Sequence, residues 1–131
     1  MKTSEVSIIF HQTDVTEFMK VMSDPNPIYQ SVEAAKNFGF KTMPLPPTMP
    51  LVAYKLLNLP WQLTEPILHR KQECSYHQTM YIGETYKAHI YLTEHTERKG
   101  FYLVKQSLVI VDMQGKLCFE GNYQIVCGGV I

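Results

Sequence analysis

The hydrophobic period of this chain changes part-way along, and that change limits the folds open to it. From Ile67 onward apolar residues recur at every second position: Tyr86, Ala88, Ile90 and Leu92 alternate with Thr85, Lys87, His89, Tyr91 and Thr93. Such alternation puts one face of a strand into a core and the other toward water. Phe101 to Val111 predicts a second long strand, Met113-Gln114-Gly115 a turn, Leu117 to Val126 a third strand, and Leu68 to Thr79 a strand preceding them all. Four successive strands with short connections predict an antiparallel meander.

The first half carries the helical signals. A short strand is expected at Val6, Ile8 and Phe10. Asp14-Val15-Thr16-Glu17 then matches a capping box, and Val15, Phe18, Met19 and Met22 share one helical face. Pro25 and Pro27 are expected to end that helix. Ser31 is placed to cap a second one running to Phe38, with Gly39 as its stop. The third segment, about 48–58, has Thr48 as N-cap and Pro50 in its first turn, followed by Leu51, Val52, Ala53, Tyr54, Leu56 and Leu57. With Lys55 nearly its only charge, it is expected to be a long helix enclosed by other structure. Helices early and strands late make the class α+β, and 131 residues suit a single domain over 1–131. The open sheet edges predict a dimer.

Twelve basic residues balance twelve acidic ones, which argues against nucleic acid or an anionic membrane as the main partner. Only Arg70-Lys71 and Arg98-Lys99 are adjacent basic pairs, so no phosphate-tracking stripe is visible. No apolar run approaches the ~20 residues needed to span a bilayer, and no signal-like segment opens the chain. Cys74, Cys118 and Cys127 are far apart, without a CxxC, which fits a reducing cytoplasm. His69 and His77 share a strand face by even spacing, but no third ligand accompanies them, so no metal is expected.

Chemistry concentrates in Ser23-Asp24-Pro25-Asn26-Pro27-Ile28-Tyr29 and in Pro44-Leu45-Pro46-Pro47-Thr48-Met49. Two prolines hold the backbone on either side of Asn26. Asp24 has two readings: a turn-fixing or capping residue, or a carboxylate presented to a ligand. Asn26 reads as satisfying the turn backbone, Tyr29 as an amphipathic wall residue or a hydroxyl donor. His69 opens a strand from which it can reach toward the Asp24 loop.

These motifs resemble the MaoC-like (3R)-hydratase/dehydratase family of hot-dog folds. Members read Asp-x-Asn-Pro-x-His, then a short helix, a Gly turn and a Pro-Gly before the long helix. The corresponding residues here are Asp24, Asn26, Pro27, Tyr29, Gly39, Pro46 and Pro47. The chain is most similar to the variant in the N-terminal half of double-hot-dog dehydratases and in the non-catalytic subunit of mycobacterial-type heterodimers. That variant reads Asp-Pro-Asn-Pro-x-Tyr followed by Pro-Pro-Thr. The likeness continues through Leu68-His69-x-x-Gln72, Ile82-Gly83-Glu84-Thr85 and the Asp112–Gly115 turn, covering roughly residues 8–127.

The resemblance implies an antiparallel sheet wrapped around one long helix. It also implies syn addition of water across a trans-2-enoyl thioester, or the reverse, performed in the family by an Asp–His pair. The substrate would be an acyl-CoA or acyl-carrier-protein thioester, and no cofactor is needed. The partner would be a second copy or a related hot-dog subunit. Asp24 matches the family's carboxylate, whereas Tyr29 stands where the imidazole belongs, and a phenol with a pKa of about 10 is a poor base at neutral pH. Pro47 replaces the glycine whose N–H polarises the thioester carbonyl, leaving the Thr48 N–H as the neighbouring donor. Asn26, Pro47, Thr48 and His69 are the expected substrate-binding residues. Four functions follow: a hydratase/dehydratase subunit dependent on a His-bearing partner, an independent homodimeric hydratase using Asp24 with His69 or another histidine, an acyl-CoA thioesterase, or a non-catalytic acyl-CoA-binding module.

Overall fold

The alternating segments of the second half pair into one antiparallel sheet in the computed structural model, which describes residues 1–131. The strands are β1 (Val6–Ile9), β2 (Leu63–Tyr76), β3 (Thr85–Arg98), β4 (Phe101–Val111) and β5 (Leu117–Val130), in the spatial order β1-β3-β4-β5-β2. The meander therefore holds for β3, β4 and β5 only. Although β2 precedes β3 in sequence, it crosses to the far edge and pairs with β5, from Leu63 opposite Val130 to Tyr76 opposite Phe119. β1 covers the other edge through Val6 opposite Ala88 and Ile9 opposite Thr85.

One face of this sheet is the core. Ala88, Ile90, Val104, Leu108, Ile110, Phe119 and Cys127 are fully buried there, and Tyr86, Tyr123 and Ile125 nearly so. The period of two makes this possible, because each strand offers alternate side chains to the same side. Removing an aliphatic or aromatic side chain of this kind from water contributes about 1.5–3 kcal/mol.

The helical layer packs on that face. Helix α1 spans Gln12–Val21 and starts earlier than the capping-box reading expects: His11 is the N-cap and makes no side-chain cap bond. Asp14 lies inside the first turn, where its charge still complements the helix dipole. Its end also precedes the prolines. Ser23 takes a left-handed φ of 53°, its N–H reaches the Lys20 carbonyl, and the Asp24 N–H reaches that of Met19. This Schellman closure turns the chain before Pro25.

Helix α2 covers Val32–Asn37. Ser31 accepts from the Ala34 N–H at 3.1 Å, as expected of a cap. Gly39, at φ 92°, lets the Phe40 N–H bond back to Ala35.

The segment expected as a long helix over 48–58 is shorter and tighter, a 3-10 helix over Met49–Leu56. Pro50 has no N–H, and the first turn closes through Met49 N to Pro46 O and Leu51 N to Thr48 O. Its burial is one-sided. Met49, Pro50, Ala53 and Leu57 enter the core, while Val52 and Leu56 remain 38% and 55% exposed. Length and enclosure thus differ from the expectation; the antiparallel sheet carrying the segment on its inner face does not. No helix is long and apolar enough to cross a membrane.

Candidate functional site

The Asp24–Tyr29 loop is built by its own polar side chains. Asp24 Oδ1 accepts from the Asn26 N–H at 3.0 Å, and Asn26 Oδ1 accepts from the Ile28 N–H at 3.2 Å. The second bond caps a short 3-10 turn, Pro27–Tyr29. The Gln30 side chain closes the loop onto the Pro25 carbonyl at 3.2 Å. Asn26 is thus occupied in holding the backbone. Asp24 has committed one oxygen to the turn and keeps the other.

Asp24 is exposed, but it borders a hollow of about 430 Å³ shared with Thr16, Met19, Lys20, Pro25 and Tyr29. Tyr29 is 8% exposed, and its carbonyl accepts from the Gln12 side chain at 3.2 Å. Burial first, and then the negative charge of Asp24, hold its phenol above the ordinary value. At neutral pH it is a neutral hydroxyl, able to donate a hydrogen bond.

Tyr29 also walls a second, more apolar cleft of about 450 Å³. Ile28, Leu45, Pro47, Tyr76 and His77 are among its other linings. The Tyr76 hydroxyl donates to the Pro47 carbonyl and so ties the end of β2 to the proline loop. Asp24 and Tyr29 from one loop and Pro47 from another therefore border two adjoining hollows, with Tyr29 between them. Thr48 is exposed beside Pro47 at the start of the Met49–Leu56 helix, and its N–H donates to no acceptor within the chain.

His69 lies apart from this group. It is exposed on β2 opposite Ile125, and its ring meets the edge of Tyr123 at 6.5 Å. No hydrogen bond joins it to the Asp24 loop, so the expected reach across the fold does not occur. His77 does not accompany His69. Even spacing places it on His69's face only if one strand runs through both. A bulge between His69 and Lys71 breaks the parity, and β2 ends at Tyr76. His77 then sits past the strand, its N–H held by the Cys118 carbonyl at 2.9 Å, at the wall of the apolar cleft.

A five-stranded antiparallel sheet in this order, with a short helix across its inner face, defines the protein as a hot-dog domain. The chain belongs to the FAS1-like, dehydratase domain region family, whose profile matches residues 1–120. It is similar in structure to a chain of the HadBC (3R)-hydroxyacyl-ACP dehydratase complex from Mycobacterium tuberculosis, with a TM-score of 0.83 at 19% identity over 96% of this chain and 94% of that one. A chain of the ChsH1-ChsH2 complex from the same organism aligns with a TM-score of 0.78 at 16% identity, over 96% of this chain and 83% of that one. The (R)-hydratase from A. caviae involved in PHA biosynthesis gives 0.78 at 18% identity, over 95% and 92%. A further neighbour is a MaoC-like dehydratase from Rhodospirillum rubrum. No curated protein matches the chain significantly in sequence.

Proposed function

We propose that this chain is a subunit of a (3R)-hydroxyacyl-thioester dehydratase, or trans-2-enoyl-thioester hydratase, that requires a partner hot-dog subunit bearing histidine. The observation that carries the reading is the pairing of Asp24 with a buried, neutral Tyr29 phenol. Hydration needs a group that takes a proton from water as its oxygen bonds to the β-carbon, while a proton is delivered to the α-carbon on the same face. Dehydration reverses both transfers. A phenol whose proton is held above its already high pKa does neither efficiently at neutral pH. The Asp–His pair then comes from the partner, and this chain supplies acyl-binding walls through Ile28, Leu45 and Pro47.

The Thr48 N–H, without an internal acceptor, is the donor this chain offers to a thioester carbonyl. The substrate is an acyl-CoA or acyl-carrier-protein thioester in a cytoplasmic setting, bound between two related subunits. Purified alone, the chain is expected to leave crotonyl-CoA unchanged; co-purified with a His-bearing hot-dog subunit from its own host, it is expected to consume it. Turnover by the lone chain would overturn the partner requirement.

One observation favours an independent homodimeric hydratase as a second reading: His77 lines the same cleft as Tyr29 and brings an imidazole without a partner. In that case lone-chain turnover appears and is abolished in both His77→Ala and Asp24→Asn. Retention of activity in either variant would count against it.

A further inference from the structure

The chain contains two arginines, Arg70 and Arg98, which sit in its only adjacent basic pairs. Folding brings both to one hollow of about 200 Å³, floored by Phe101, Tyr102, Leu103 and Val126. Arg70 is the residue bulged out between His69 and Lys71 on β2, and a bulge re-aims the side chain it carries. Arg98 ends β3 opposite Phe101, beside the left-handed Lys99 of the hairpin. Leu103 pairs with Val126, so the floor spans β4 and β5, and Arg70 reaches it from β2 and Arg98 from β3.

Neither guanidinium forms an ion pair, whereas Lys41, Lys71, Lys87 and Lys105 each have a carboxylate partner. Glu97, next to Arg98, accepts from the Tyr102 hydroxyl at 3.4 Å. Formal charge is zero over the whole chain, so this convergence is local rather than a consequence of a basic protein. Two planar guanidinium forks suit an oxyanion that accepts several hydrogen bonds at once, as a phosphate does. Phe101, 48% exposed, offers an adjoining apolar face.

We propose that Arg70 and Arg98, converging over Phe101 and Leu103, form a binding site for a phosphate monoester attached to a planar or apolar body. The site shares no lining residue with the cleft. The run of strand from Arg70 to Tyr76, the β2 residue at the cleft, spans roughly 20 Å. A phosphate of this kind has two sources, a free phosphorylated small molecule or the nucleotide end of a CoA thioester.

The test is calorimetric titration of the full chain with inorganic phosphate, ADP and CoA, repeated on Arg70→Gln, Arg98→Gln, Arg98→Lys and the control Lys116→Gln. Saturable binding of ADP or CoA is expected, weakened about tenfold or more by each arginine substitution and unchanged in the control. Arg98→Lys is expected to weaken it as well, since lysine keeps the charge but not the fork. CoA binding more tightly than ADP identifies the thioester carrier as the source, and equal affinities identify a free phosphorylated ligand. Absence of binding by all three probes at millimolar concentration overturns the proposal. So does binding that survives both arginine-to-glutamine changes, or full replacement of Arg98 by lysine. Both arginines are exposed, and thermal melts of the variants confirm that the fold persists.

Discussion

Replacing Tyr29 by histidine puts an imidazole where this loop presents a phenol. Asp24 keeps one oxygen in its turn with Asn26 and has the other available to orient a neighbouring ring. The charge of Asp24 that opposes ionisation of the Tyr29 phenol would hold an imidazolium in the same position. General acid–base catalysis by a positioned histidine contributes about 10²–10⁴-fold, equivalent to roughly 3–5 kcal/mol of barrier. Because Pro47 supplies no N–H to the carbonyl, the lower end, about 10²-fold, is the expected gain. Position 29 is nearly buried, and the smaller ring leaves a void costing about 1–3 kcal/mol, so a thermal melt accompanies the assay. The measurement is the loss of enoyl absorbance from crotonyl-CoA by the lone chain, for wild type, Tyr29→His and Tyr29→His/Asp24→Asn. Turnover in the first variant that disappears in the second is expected. A folded Tyr29→His chain that stays inactive, while the wild type works with a partner, would refute the claim that the imidazole is what this half-site lacks.

Other outcomes follow from the same structure. Phe119 is fully buried near the start of β5, and Phe119→Ala should cost about 3–5 kcal/mol in denaturant unfolding. His89 is 7% exposed with neither ring nitrogen hydrogen-bonded; burial first, then Lys2, lower its pKa, with Glu5 at 4.0 Å opposing. The unfolded chain therefore takes up this proton first. Stability should be full above about pH 6.5 and fall as pH drops through the lower folded value, with a shallower acid limb in His89→Phe. Burial of Tyr123 pushes its phenol to about 12, with smaller contributions from Cys74 and Tyr54. Its contribution is complete below about pH 10 and lost as pH rises toward the folded value, so Tyr123→Phe should flatten the alkaline limb of a melt series.

Local chemistry was readable from the chain because local interactions set it. Ser31 caps α2 through its own hydroxyl, Gly39 supplies the left-handed stop, and β4 runs over Phe101–Val111 as its alternation requires. The turn after β4 is equally local: Asp112 accepts from the Gln114 and Lys116 N–H groups, both at 2.9 Å. The capping box failed because the helix starts earlier: His11 serves as N-cap, and a longer-range contact ties the first turn down, with Gln12 donating to the Tyr29 carbonyl seventeen residues away.

By itself, then, the order of residues determined which segments are strands, which face of each is apolar, and that Asp24 lies in a proline-bound loop with a phenol five positions on. Tertiary structure decided what meets what. Strand pairing at long range carried β2 past β3 to β5, and one bulged residue reversed the side to which later side chains on that strand point. That parity change separated the later β2 residues from His69's side, the end of β2 at Tyr76 left His77 at the cleft wall with Tyr29, and the bulged Arg70 came to line one hollow with Arg98. A pleat's two-residue period makes such placement depend on a single inserted residue, whose location is set by pairing across the sheet rather than by its neighbours in sequence.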